Sequence, residues 1–131
     1  MRPLYHPSKE DISTEGILYA LSDPIRARIY SEISCSEQAP TCSNFLTLEG
    51  HRLPKSTLSQ HFKILREAGL IRSERKGVEL RNFSRCGDLK ERFGDLIRAV
   101  LAAYGLKVGE SVQNVPSEPK KKAVTEKSRP R

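Results

Sequence analysis

The chain has 131 residues, 37% hydrophobic and 30% charged, with a formal net charge of +7. That length suits one domain with tails, and no run approaches the roughly 18–20 apolar residues that a membrane span needs. Three cysteines, Cys35, Cys42 and Cys86, are an odd number at spacings that match neither a disulfide framework nor a zinc finger, and the polar, proline-rich start is no secretory signal, so the expectation is a cytoplasmic protein without membrane contact.

Residues 1–12 hold two prolines after Met1 and little periodicity, and read as a flexible or loosely docked N-terminal arm. Ser13 is placed to cap a first helix whose inner face carries Ile17, Leu18 and Leu21. Ser22-Asp23-Pro24 is a break and a restart, with Asp23 as cap and Pro24 at the first helical position. A second helix follows to about Ser34, with Ile25, Ile29 and Ile33 at i, i+4, i+8. Cys35 to Thr41 reads as a polar loop, Cys42 or Ser43 to Glu49 as a short third helix, and residues 50–54 as a turn.

The fourth helix has Leu58, Phe62 and Leu65 facing inward, with Gly69 as its left-handed C-terminal cap. Its other positions hold Lys55, Ser56, Thr57, Ser59, Gln60, His61 and Lys63. Next come two strand-like runs around Lys76-Gly77, a β-hairpin whose polar residues include Arg75, Lys76 and Arg81. Val78, Leu80 and Phe83 give it an apolar face, although the alternation slips at Asn82. The last helix, Asp88 to about Tyr104, has the cleanest periodicity in the chain: Leu89, Phe93, Leu96, Ile97, Val100, Leu101 and Tyr104. Residues 106–131 lack aromatics and carry Lys120-Lys121-Lys122; they read as a disordered basic tail. From Lys107 onward seven Lys/Arg face three Glu, so more than half of the net charge lies there.

The expected fold is therefore mainly α with a small β-hairpin: a winged helix-turn-helix over residues 13–105, with five helices and the wing before the last one. In a helix-turn-helix the second helix lies in the major groove of DNA with its first residues at base edges. The groove presents donors and acceptors, which short hydroxyls, an amide and an imidazole can meet. Lys55, Ser56, Thr57, Ser59, Gln60, His61 and Lys63 are the candidate reading set. Arg75, Lys76 and Arg81 are candidates to hold the backbone beside the groove, positioning without specifying. An ordinary solvated helix and a charged hairpin edge are the plain alternatives.

Two stretches carry a resemblance. Leu21-Ser22-Asp23-Pro24-Ile25-Arg26, and Pro54-Lys55-Ser56-Thr57-Leu58-Ser59-Gln60-His61-Phe62-Lys63-Ile64-Leu65-Arg66-Glu67-Ala68-Gly69-Leu70-Ile71, resemble the ArsR/SmtB family of bacterial winged-helix repressors. The resemblance spans roughly residues 13–104. It implies a homodimer built on the first and last helices, with Ile17, Leu18, Leu89, Phe93, Leu96, Ile97, Val100, Leu101 and Tyr104 at the interface. It also implies repression from a twofold-symmetric operator in double-stranded DNA, relieved by an inducing signal of unknown identity.

The family's metal-sensing Cys-x-Cys pair would fall at or near Ser43 and Phe45, and its second metal site would need histidines on the last helix, where only Asp88 and Asp95 stand. No metal and no cofactor is expected. Cys35, Cys42 and Cys86 remain open between inert thiols, a redox switch and a soft-metal or metalloid site. Nothing marks an enzyme: Ser56 and His61 lie five apart on one helix, the wrong geometry for a nucleophile and its base. A protein-interaction module that binds DNA only incidentally is the reading from another class.

Overall fold

A computed structural model describes residues 4–35, 47–48 and 51–109, the backbone alone at 47, 48 and 51. Ser13 Oγ accepts the Gly16 N–H at 3.0 Å and starts α1 (Thr14–Leu21); such a cap is worth ~1 kcal/mol. Asp23 Oδ1 accepts from the N–H groups of Ile25 (2.8 Å) and Arg26 (3.3 Å), and Pro24 opens α2 (Pro24–Cys35). The proline takes the position whose N–H has no helical partner in any case. α3 (Lys55–Glu67) follows Pro54. α3 ends in a Schellman motif: Leu70 N–H reaches Leu65 O at 3.1 Å, Gly69 N–H reaches Arg66 O at 3.0 Å, and Gly69 has φ 88°. α4 (Cys86–Ala103) closes the described fold.

α2 is the central element, packed against α1, α3 and α4. The core joins Ile17 and Leu21 of α1, Ile29, Tyr30 and Ile33 of α2, Leu58, Phe62 and Leu65 of α3, and Leu89, Phe93, Ile97 and Leu101 of α4. Each such side chain contributes about 1.5–3 kcal/mol on leaving water. The long stripe of α4 is thus mostly spent inside one chain.

The wing is an antiparallel pair, β3 (Ile71–Lys76) and β4 (Glu79–Ser84), preceded in the chain by a two-residue pair of strands, β1 (Thr47–Leu48) and β2 (His51–Arg52). β3 and β4 turn through Gly77-Val78, with Gly77 at φ 63° in the first central position, where a tight hairpin needs positive φ. Tyr30 anchors β4 to α2 through Ser84, hydroxyl to hydroxyl at 2.9 Å. Burial raises the Tyr30 pKa and keeps this phenol protonated.

Several expectations are corrected. Four α-helices, not five, appear among the described residues. Thr47 and Leu48, expected at the end of a third helix, pair instead as a strand with Arg52 and His51; residues 42–46 and 49 lie outside the described residues. Of the arm expected to be flexible or loosely docked, residues 4–12 are described and dock: Ile12 is buried in the core and the Ser73 N–H donates to His6 Nε2 at 3.0 Å. The chain after α4 is also held at first. Ser31 Oγ donates to Lys107 O at 2.5 Å, and Gly109 N–H donates to Ser34 Oγ at 3.0 Å. Residues 110–131, the rest of the expected tail, lie outside the described residues. On the wing, Val78 stands fully exposed at the tip, while the buried residue of β4 is the polar Asn82.

Candidate nucleic-acid interface

α3 divides cleanly by burial. Leu58, Phe62 and Leu65 turn inward, and Lys55, Ser56, Thr57, Ser59, Gln60, Lys63 and Glu67 are exposed. The helix begins without a side-chain cap and without an acidic residue in its first turn. The first N–H groups therefore present the positive end of the helix dipole beside Lys55, Ser56 and Thr57. Short hydroxyls, an amide and two ammonium groups share this outward face, all able to exchange hydrogen bonds with base edges or phosphates. Arg52, just before the helix, is exposed as well, and the sequence reading had not included it.

His61 does not join that face. The residue is 8% exposed, and its Nδ1 stands 3.5 Å from Arg26 Nη1. Its place among base-reading residues is therefore corrected: three residues after Leu58 and four before Leu65, it sits on the inward stripe. Burial lowers its pKa, with Asp23 opposing and Arg26 adding to the shift. Arg26 itself is buried; its Nε donates to Ala20 O at 2.7 Å and its Nη2 to Tyr19 O at 3.2 Å. It donates to two carbonyls at the end of α1 while facing α3 through His61, so one guanidinium ties α1, α2 and α3 together.

At the far end of α3, Arg66 is buried too. Its Nε donates to Ser73 Oγ at 3.1 Å, and Ser73 Oγ donates to Asn82 Oδ1 at 2.7 Å. Sequence periodicity did not mark Arg66 or Ser73; the break at Asn82 was their only signal.

On the wing, Arg75 and Lys76 are exposed and have no ion-pair partner among the described residues. Arg81 is half-buried and pairs with Glu79 at 2.5 Å; Arg72 pairs with Glu74 at 2.8 Å and lies over the Phe83 ring at 4.6 Å. Solvent-facing pairs of this kind are worth at most ~1 kcal/mol, so a phosphate can compete for Arg81. Behind the wing, an open cleft of about 570 Å³ is lined by His6, Arg72, Glu74, Arg85, Cys86 and Asp88 among others. Its charges are largely answered locally, with Arg85 on Asp88 at 2.8 Å and on Pro7 O at 2.8 Å.

The residues expected at a dimer interface split into two groups. Ile17, Leu89, Phe93, Ile97 and Leu101 are buried within the chain, which removes them from any interface without unfolding. Leu18 is 43% and Tyr104 38% exposed, and Leu96 and Val100 are half-buried. Tyr104 Oη donates to Leu21 O at 2.7 Å, placing the end of α4 against the end of α1.

Cys35 is exposed at the end of α2, its Sγ 3.8 Å from Lys107 O, and Cys86 is half-buried at the start of α4. Cys42 lies outside the described residues. No group of three or more His, Cys, Asp or Glu able to hold a metal ion occurs among the described residues. No helix among them is long and apolar enough to cross a membrane.

Comparison with known proteins adds one match: residues 21–74 fit the family model of a helix-turn-helix domain. No curated protein matches the chain. The matched segment runs from the end of α1 through α2 and α3 into β3, so it holds the outward face of α3 and stops at Glu74, before Arg75 and Lys76 of the wing. Residues 21–74 are thus similar to a helix-turn-helix domain, and they lie in a chain whose described residues are mainly helical with an antiparallel hairpin.

Proposed function

We propose that the protein is a sequence-specific DNA-binding repressor of ArsR type, working as a homodimer on a palindromic operator and lacking that family's usual metal sites. Residues 13–105 form its winged helix-turn-helix and dimerisation domain. In this reading Lys55, Ser56, Thr57, Ser59, Gln60 and Lys63 face the major groove, and Arg75, Lys76 and Arg81 hold the phosphate backbone beside it. Two copies meet through Leu18, Leu96, Val100 and Tyr104, and a signal not yet identified releases the operator.

The observation that carries the reading is the pairing of two surfaces. An uncapped helix start with an exposed row of hydroxyl, amide and ammonium groups is followed at once by a hairpin whose tip cations lack partners among the described residues. The first can read bases and the second can neutralise phosphates. Selection from a random duplex pool tests it: the protein should recover a symmetric motif with half-sites about 10 base pairs apart. Gln60→Ala should relax preference at one position by about 1–3 kcal/mol. Recovery of no motif, with weak binding lost as salt rises, would instead favour an interaction module that touches DNA incidentally.

A further inference from the structure

β4 breaks its apolar pattern at one residue, and that residue is the best connected polar group in the wing. Asn82 has no exposed surface. It stands directly opposite Ser73 in the β3–β4 register. Its Oδ1 accepts from Ser73 Oγ at 2.7 Å, and its Nδ2 donates to Leu80 O at 3.3 Å. The Ser73 hydroxyl accepts in turn from Arg66 Nε at 3.1 Å. The hydroxyl is thus used in both directions, and the relay is polar from end to end: guanidinium N–H to hydroxyl, hydroxyl O–H to amide oxygen.

An apolar side chain at position 82 would complete the strand pattern and fill the same volume. A buried polar relay adds little net stability over such a side chain, because desolvation offsets its hydrogen bonds. What the relay does add is direction: it accepts one setting of the strand pair against α3. Arg66 belongs to the last turn of α3, Ser73 to β3 and Asn82 to β4. Arg75 lies two residues beyond Ser73 on its strand, roughly 7 Å along it, and Arg81 adjoins Asn82. Changing the setting of the pair at this point would swing the wing cations relative to the outward face of α3.

We propose that Asn82 is a positioning residue for DNA binding: through Ser73 and Arg66 it locks the wing to α3, so that the wing cations and the reading face of α3 engage one duplex together. The proposal rests on the DNA-binding reading above and adds the part that sets specificity geometry. It assigns to the relay the job of making two contact surfaces act as one; the contacts themselves belong to other residues.

The test uses the full-length protein and the duplex that wild type selects from a random pool. Affinity is measured across a salt series for wild type, Asn82→Leu, Asn82→Asp, Ser73→Ala and the wing variant Arg75→Ala/Lys76→Ala/Arg81→Ala. A wing that no longer reaches the backbone loses the three phosphate contacts of Arg75, Lys76 and Arg81, so the slope of log K against log salt should shallow by about 3 in Asn82→Leu and in Ser73→Ala. Asn82→Asp keeps the acceptor for Ser73 and should hold the wild-type slope. Added to the wing variant, Asn82→Leu should change neither slope nor affinity further, because its effect runs through the cations already removed. A wild-type slope in Asn82→Leu and Ser73→Ala overturns the proposal, as do losses that add in full to those of the wing variant. Unfolding of both single variants would make the relay a folding element only, and would also overturn it. Failure of wild type to select any duplex sinks the DNA-binding reading instead, so the two failures are distinguishable.

Discussion

Position 61 holds an imidazole where the helical period leaves room only for an inward group. Burial comes first among the causes that lower its pKa from the ordinary 6.5, Asp23 works against the shift, and Arg26 works with it. His6 shifts the same way, by burial first and then by Arg66, Arg85 and Arg72, with its Leu4 backbone hydrogen bond opposing. Both rings therefore resist protonation in the folded chain more than in the unfolded one. As pH falls below 6.5 the unfolded state takes up protons that the native state refuses, and stability falls. The loss levels off once pH has passed below the native pKa values. Thermal unfolding should accordingly have a lower midpoint near about pH 5.5 than near about pH 7.5. In His61→Asn the amide oxygen can take the place of Nδ1 facing Arg26 without titrating, so the drop should shrink. An equal drop in wild type and in His61→Asn would remove His61 as a source of the dependence. The exposed members of the reading set were legible because solvent-facing polar residues leave the apolar stripe intact. His61, Arg66 and Asn82 were not, because their partners lie on other elements: Arg66 and Asn82 meet through Ser73, 7 and 9 residues away, only once β3 pairs with β4 and packs on α3. His61 and Arg26 are 35 residues apart, and Ser73 and His6 are 67 apart.

Whole elements were legible where short-range chemistry decides them. Ser13, Asp23-Pro24 and Gly69 carry capping rules that act within four residues, and each stands where those rules put it. The segment before α3 went wrong. Thr47↔Arg52 and Leu48↔His51 pair as antiparallel strands of two residues each, too short to show the alternation that marks a strand in sequence. The cap after α3 has the sharpest consequence. Gly69 sits at φ 88°, and a Cβ built there would come within 2.5 Å of Ile12 Cγ1. Ile12 is itself buried, so it has little room to retreat. Gly69→Ala should therefore cost about 1–3 kcal/mol through the backbone alone, and more through the displaced arm. Denaturant unfolding measures the loss, and limited proteolysis should show earlier cleavage within residues 4–12 than in wild type. A variant as stable as wild type would mean that the arm does not press on this cap.

At the scale of the molecule, the stripe on α4 had two possible destinations, and periodicity alone could not separate them. Burial does: Leu89, Phe93, Ile97 and Leu101 serve the core of one chain, while Leu18 and Tyr104 stay open to solvent and Leu96 and Val100 remain half-buried. The hydrogen bond from Tyr104 Oη to Leu21 O sets the ends of α4 and α1 side by side. A stable dimer usually buries about 1,200–2,000 Å² in total, more than four side chains provide, so in the proposed homodimer the flanking polar surface of both helices would take part. Leu18→Glu combined with Leu96→Glu would bury charge at the centre of that face without touching the fully buried core. Sedimentation should then report monomer where wild type reports dimer, and far-UV circular dichroism should be unchanged. Footprints on a symmetric operator should weaken most at low protein concentration, because two half-sites no longer bind as one linked event. Were the double variant to sediment as a dimer with wild-type affinity, the joint between copies would have to lie away from α1 and α4, and the expected spacing of the half-sites would change with it.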